Sequence, residues 1–297
     1  MRALIPLFAI CLLTAACNSA GATGSAGPGS SATPGASVPR HYGVETGADD
    51  LILRIATGGG LVPPGYLLTS MPQFALYGDG RIIVPGPVAE IYPGPLLPNL
   101  LVLRVTPAEI QTILAAADRA GLLGPDASYN ATGIADAGTT VFTINVGGAT
   151  HTVSAYALMA DVKSDNAADD AARARLLGFN NQTSNLDAFL GREVGYVEAY
   201  VPTGMRVFTR KAETVDAAEP SRQQLAWPLS IDPATAGQPT TVPDTSCVLL
   251  TGTDLATFTT VAKTANTATL WTYGTVHYSV SVRPLYPDES GCPGSPI

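Results

Sequence analysis

Three histidines, His41, His151 and His277, are the chain's only imidazoles for nucleophilic or acid–base chemistry. A Ser-His-Asp arrangement needs a histidine oriented by an acid and placed beside a nucleophile. His41 falls at the end of a stretch rich in Ala, Gly, Ser and Pro, where it and Tyr42 are expected to be solvated. His151 opens an expected strand beside Gly147-Gly148, an ordinary position for a polar residue. His277 shares the outward face of another expected strand with Ser279, and nothing in the spacing supplies the acid. Zinc spacings such as H-E-x-x-H or paired C-x-x-C are absent from the sequence. Asp161, Asp165 and Asp169 recur every four residues and would align on one helix face. Calcium sites draw on tight loops instead, so Ser164 and Asp165 are read as capping a helix whose first turn carries Asp169 and Asp170. Asp169 and Arg173 then form an i,i+4 pair. On these residues no catalytic, cofactor or metal site is expected, and a hydrolase with an unrecognised site is the remaining enzymatic alternative.

The formal net charge is −8, with only three lysines, Lys163, Lys211 and Lys263. Such a chain has no field for phosphate backbones, which argues against nucleic acid as a partner. At the N-terminus, Arg2 precedes an apolar run from Ala3 to Leu13, broken only by Pro6. The run is far short of the roughly 18 to 20 residues that span a bilayer and reads as a signal-peptide core. Its end, Leu13-Thr14-Ala15-Ala16-Cys17, resembles the lipobox of bacterial lipoproteins. That resemblance implies cleavage after Ala16 and a diacylglyceryl group, of the palmitate kind, on Cys17. Stable anchoring takes about two acyl chains, which a diacylated Cys17 meets. Residues 1–16 are thus an expected signal peptide, and removing them with Arg2 takes the charge from −8 to −9. The expected location is the cell membrane, lipid-anchored on the extracytoplasmic side. Few lysines and abundant Ala, Gly and Thr also resemble the composition of a GC-rich actinobacterium.

With Cys11 in the signal and Cys17 acylated, Cys247 and Cys292 remain, in a chain bound for an oxidising space. A disulfide between them is expected, with two separate buried thiols as the alternative. From Asn18 to about Pro39 the composition cannot bury enough apolar surface to offset its ordering entropy. Residues 17–47 therefore read as a tether of about 30 Å mean reach that holds the body off the membrane.

The remaining ~250 residues are enough for one large or two small cores. Leu51 to Ile55 reads as a strand stopped by Gly58-Gly59-Gly60, and Val62-Pro63-Pro64-Gly65 then leaves no helix N-terminus for an anion. Phe74–Tyr77 and Arg81–Val84 flank Gly78-Asp79-Gly80 as a hairpin. Leu100 to Val105 runs into the clearest helix start: Thr106 as N-cap, Pro107 first in the helix, Glu109 completing a capping box, and Val105 with Ile110 as the staple. Ile110, Ile113, Leu114 and Ala117 form its buried face, and Gly121 ends it. Thr139–Val146 and Thr150–Leu158 form a second hairpin, and Tyr196–Val201 with Met205–Arg210 a third. Cys247–Leu250, a helix faced by Leu255, Phe258, Ala262 and Ala265, and the strand Val276–Arg283 complete the chain. The fold class is α+β, with antiparallel sheets and packed helices. Its expected division is two related modules, 48–190 and 191–297, each running hairpin, strand, helix, strand.

Between Pro85 and Pro98, repeated prolines predict a stiff loop that does not join a sheet. Tyr92, Pro93 and Pro95 are its candidate partner contacts, and a plain cover for a sheet edge is the alternative. The stretches Tyr77–Arg81, Glu90–Pro95 and Ile134–Phe142 resemble a group of actinobacterial lipoproteins without assigned activity. More distantly, the layout from Leu51 to Leu158 is similar to emfourin-type inhibitors of thermolysin-like metalloproteases. The shared elements are a strand ending in Gly58-Gly59, a helix rich in Leu, Ile and Ala, Asp136 before a strand, and a Gly-turn hairpin. The proline-rich insertion departs from that layout. The resulting expectation is a non-enzymatic binding or adaptor protein of the cell envelope, joined to the membrane through Cys17 and contacting an envelope protein or wall component. Protease inhibition is the second expectation.

Overall fold

The structure is a computed structural model and describes residues 40–212, 222–233 and 235–292. Cys17, the signal and the tether to residue 39 lie outside the described residues. The fold is α+β, as its sequence pattern predicts. In chain order the first sheet region runs β1 (Leu51–Gly58), α1 (Pro64–Thr69), β2 (Phe74–Tyr77), β3 (Arg81–Pro85), β4 (Leu100–Arg104), α2 (Pro107–Ala120), β5 (Ala127–Tyr129), β6 (Thr139–Val146), β7 (Ala149–Tyr156), α3 (Ala167–Ser184), α4 (Leu186–Leu190) and β8 (Tyr196–Ala199). These eight strands form one sheet in the order β5-β7-β6-β1-β2-β3-β4-β8, antiparallel except for the β5–β7 pair. No helix among the described residues is long and apolar enough to cross a membrane.

The second sheet takes β9 (Gly204–Lys211), β10 (Gln224–Ala226), β11 (Gln238–Pro239) and β12 (Thr245–Thr251). After α5 (Gly252–Ala262) it adds β13 (Leu270–Tyr273) and β14 (Val276–Pro284). Its order is β10-β13-β14-β9-β12-β11. The expected hairpin across Pro202-Thr203-Gly204 does not form. β8 pairs with β4 at the edge of the first sheet, while β9 sits between β12 and β14 in the second. Gly204 lies so close to Leu285 that an added Cβ would stand 2.8 Å from its Cδ1. The Pro-Thr-Gly segment is therefore a crossover between sheets and not a turn within one.

Helices α2 and α3 cover one face of the first sheet. Ile113, Leu114, Leu176 and Phe179 meet Ile55, Phe74, Leu76 and Phe142 there. The opposite face buries Ala75, Tyr77, Ile83 and Leu100 against Tyr286, beyond the end of β14. All four residues of β2 are buried in consequence, which explains a continuous apolar run where a one-sided sheet would alternate. The second core gathers Met205, Val207, Leu250 and Val280 around Trp227, Phe258 and Trp271. Phe258 stacks on Trp271 with ring centroids 5.4 Å apart. Cys247 and Cys292 form the expected disulfide, tying β12 to the segment after β14. Closing a loop of 45 residues restricts the unfolded chain by about 4 kcal/mol on chain-entropy grounds.

Several local expectations change. Tyr42 is buried, not solvated. Its hydroxyl donates to Asp118, and its backbone N–H and C=O are both held by the Gln111 side chain. A helix does come after Pro63, the six-residue α1, with Pro64 in its first turn. Asn166, not Ser164 or Asp165, caps α3 by accepting from the Asp169 N–H. Arg173 is buried and turns away from Asp169, donating to the carbonyls of Tyr156 and Ala157. Those carbonyls lie where β7 ends, and the Ala157 carbonyl also accepts from Ala160 N–H.

The α2 start matches its sequence. Thr106 N–H donates to Glu109 and Glu109 N–H donates to the Thr106 hydroxyl, while Gly121 takes φ 90° as the αL cap. Arg192 pairs with the same Glu109 carboxylate. Arg192 and the two Thr106 donors together lower the Glu109 pKa to about 2, against the smaller upward effect of burial. A carboxyl depressed by folding stabilises above the ordinary Glu range and loses that contribution as pH falls toward its folded value. Thermal unfolding followed from pH 5 to pH 2 is therefore expected to show a shallower acid decline in Glu109→Gln, which should also melt lower than wild type at neutral pH.

Candidate functional site

Alternating strand direction sets where the connections emerge. β1 pairs antiparallel with β2 and β6, β3 with β2 and β4, and β4 with β8. The connections 59–73, 86–99, 130–138 and 157–166 and the crossover 200–203 all leave the same end of the first sheet. The opposite end holds the Gly78-Asp79-Gly80 and Gly147-Gly148 turns, with charged pairs Asp79–Arg81 and Arg104–Glu198.

The loop end is where this protein exposes apolar side chains. Ten large hydrophobic residues are exposed among those described, and eight of them sit there: Leu61, Tyr66 and Leu67 after β1; Val88, Ile91 and Tyr92 after β3; Met159 after β7; and Val201 after β8. Tyr92 is 92% exposed and Val201 82%. Segments 59–73 and 200–203 contain no charged residue, and 86–99 contains only Glu90. Single exposed apolar residues are ordinary on a protein surface, but a cluster on adjacent loops marks a contact site.

Two of these loops, 86–99 and 59–73, are tied to the body by hydrogen bonds. The 86–99 segment is closed at its base by Gly86 N–H to Asn99 C=O and by the Asn99 amide to Pro87 C=O, at 2.9 and 2.8 Å. Its far part crosses to the second sheet as a strap. Leu96 is buried in the second core, Leu96 N–H donates to Ala265 C=O, and Thr267 N–H donates to Gly94 C=O. The strap leaves the sheet between the paired neighbours β3 and β4. Beside its foot, Leu97, Pro98, Tyr200, Val201, Leu255 and Lys263 line a groove of about 460 Å³.

A polar cluster supports the 59–73 loop from below. Arg283 grips Glu289 through two hydrogen bonds of 2.6 and 2.7 Å, and its Nε donates to Ser70 C=O in the loop. Arg206 reaches Glu289 and the carbonyls of Ser290 and Gly291. From the first sheet, Arg54 and Tyr77 both donate to Asp288 at 2.7 Å. Burial alone would raise the Glu289 pKa, but Arg283, the Tyr286 N–H and Arg206 hold it below the ordinary range. Burial pushes the Tyr200 hydroxyl up to about 12 and, with Asp288, raises Tyr77 well above its usual value. These tyrosines are neutral donors at any ordinary pH. Arg54 Nε is buried without a hydrogen-bond partner.

Of the residues singled out in the sequence, Tyr92 lies at the exposed tip. Pro93 is half-buried beside it, and Pro95 is exposed but bridged to Asn266 at the strap's foot. The histidines lie apart. His41 bonds Gln111 and His151 bonds Gly124 C=O, while His277 is on the second sheet and Ser279 Oγ donates to Arg210 C=O. Among the described residues no group of His, Cys, Asp or Glu could hold a metal ion. Leu61, Tyr66, Leu67 and Val201 were not singled out, although the uncharged run from Ile55 to Gly78 was an available signal. Placing them with Tyr92 requires the strand order.

No protein-family model, curated protein or solved structure matches this chain.

Two substitutions test the support. Leu96→Ala should cost about 2–5 kcal/mol, the usual range for emptying a buried leucine site, and amide exchange should accelerate across 86–99. Glu289→Gln leaves Arg283 and Arg206 without their carboxylate in a largely buried site, so chemical denaturation at pH 7 should register a loss of about 3 kcal/mol. That loss should shrink as pH falls through the folded Glu289 pKa, because the depressed carboxyl stabilises only while ionised.

Proposed function

We propose that the protein is lipid-anchored at Cys17, faces the extracytoplasmic side, and acts by non-covalent contact as a binding or adaptor protein of the cell envelope. Its working surface on this reading is the loop end of the first sheet. The observation that carries the proposal is the exposure of Tyr92, Ile91 and Val88 on a strap fixed at both feet. An apolar contact already held in one conformation loses little entropy on binding, which favours affinity. The lipobox-like Leu13 to Cys17 supports the anchor, and the acidic body makes nucleic acid a poor partner.

Inhibition of a thermolysin-like protease is the second reading. It is favoured by β1, α2 and the β6–β7 hairpin, the elements whose layout resembles emfourin-type inhibitors, while the strap departs from that layout. Titrating such a protease with excess protein separates the two, since an inhibitor abolishes turnover and an adaptor leaves it unchanged.

The principal test is made in cells. Labelled palmitate should enter the wild-type chain but not Cys17→Ala, and the variant should leave the membrane fraction. A photo-crosslinking residue at position 92 should join one envelope component reproducibly. An unlabelled wild type would remove the anchor, and absence of any adduct at position 92 would remove the contact surface.

A further inference from the structure

The loop end has a chemistry that distinguishes among envelope components. Resting on the reading that this end is the working surface, we infer that its occupant is the bilayer itself, with the tips of the three neighbouring uncharged connections entering the lipid–water interface. Those connections come after β1, β3 and β8, all within the contiguous β1-β2-β3-β4-β8 part of the sheet.

The apolar residues protrude, with Leu61, Tyr92 and Val201 each more than four-fifths exposed. Separate protruding tips suit a fluid interface that closes around them, whereas a protein partner needs a continuous complementary face. The side-chain types also fit. Tyr66 and Tyr92 stand among aliphatic Leu61, Leu67 and Ile91, and a tyrosine ring places its apolar body in lipid while its hydroxyl stays at the headgroups.

Charge points the same way. The chain carries a net −8, yet segments 59–73, 86–99 and 200–203 together hold one charged residue, Glu90. The two other connections at this end carry Asp136, Asp161, Lys163 and Asp165, so it is the three neighbouring uncharged tips, not the whole end, that an anionic leaflet repels least. The chain that precedes Arg40 adds proximity. Twenty-two residues, Asn18 to Pro39, separate an acylated Cys17 from Arg40. Anchoring keeps the body close to lipid, which favours weak insertion, and since Gly147 N–H donates to Gly43 C=O the chain enters the body at the opposite end of the sheet and leaves the loop end free. The sequence alone places the body off the membrane, and the loop end supplies the attraction that brings it back.

Bilayer contact is tested with the acylated full chain in phosphatidylcholine–phosphatidylglycerol vesicles. Trp227 and Trp271 are buried, so they form a constant background for a tryptophan added at the surface. Tyr92→Trp carries the reporter at the loop end, and Ala149→Trp carries it at the opposite end of the sheet, beside the Gly147-Gly148 turn. Brominated phosphatidylcholine should quench the Tyr92→Trp emission about twofold or more relative to Ala149→Trp, as insertion at the acyl boundary requires. Adding Leu67→Ser and Ile91→Ser to Tyr92→Trp should abolish that difference. Equal quenching at the two ends overturns the inference. A crosslink from position 92 to a single protein in cells, with no preferential quenching, also overturns it but leaves the contact surface standing. The absence of both preferential quenching and any adduct removes both readings.

Discussion

The carboxylate of Glu289 is the point on which the two sheets depend. It lies in the short segment between β14 and Cys292, and it accepts from Arg283 on β14, Arg206 on β9 and the Tyr286 N–H. One residue earlier, Asp288 accepts from Arg54 and Tyr77 of the first sheet. The segment therefore ties its own sheet together with one side chain and grips the neighbouring sheet with the next. Buried charges are tolerated when opposite charge and hydrogen bonds replace the lost water. Here three arginines face two carboxylates, and backbone carbonyls at Ser70, Ser290 and Gly291 take up guanidinium donors that remain. The Cys247–Cys292 bond then fixes the far end of the segment to β12.

A second tie runs in the other direction. The strap leaves the first sheet between β3 and β4 and delivers Leu96 into the second core. One sheet thus contributes an apolar residue to its neighbour's interior, while the neighbour contributes a charged clasp and Tyr286 to the back of the first. The two ties have different physical origins. The clasp needs the ionised Glu289 carboxylate and weakens as acid neutralises it, whereas the Leu96 contact is hydrophobic and indifferent to pH. Both hold loops at the same end of the first sheet: the clasp holds 59–73 through Ser70, and the strap is the 86–99 connection itself.

Local signals were legible where local chemistry decides the structure. Thr106, Pro107 and Glu109 specify a helix start whose donors are satisfied within four residues, and α2 begins there. The alternation from Thr139 to Val146 forecasts a half-buried strand, and β6 has that burial pattern. Failures came where a distant partner outweighed a near one. Met205–Arg210 reads as the second arm of a hairpin, but β12 and β14 offer β9 a partner on both sides where β8 would give one. Asp169 is the near acid for Arg173, yet the carbonyls at the end of β7 claim the guanidinium. Tyr42 sits in a polar neighbourhood by sequence and is buried because Gln111 and Asp118 of α2 satisfy its polar groups.

The candidate site divides along the same line. Tyr92 and the prolines around it were legible, since repeated proline fixes a backbone without a sheet partner. That their neighbours are Leu61, Tyr66, Leu67 and Val201 was not, because the shared end emerges only from the pairing of β1, β2, β3, β4 and β8. Antiparallel pairing sorts connections into two sets by parity, and here most of the exposed large apolar side chains fall in one set. Apolar tips collect at one end, while Asp79, Arg81, Arg104 and Glu198 stand at the other. A sheet region covered by helices on one face and by Tyr286 on the other has little left to offer a partner except its two ends. The end that carries the exposed apolar tips is also the end braced by the clasp and the strap. The stiffness that joins the sheets therefore holds exposed apolar side chains in place where a flexible loop would fold them back onto the surface.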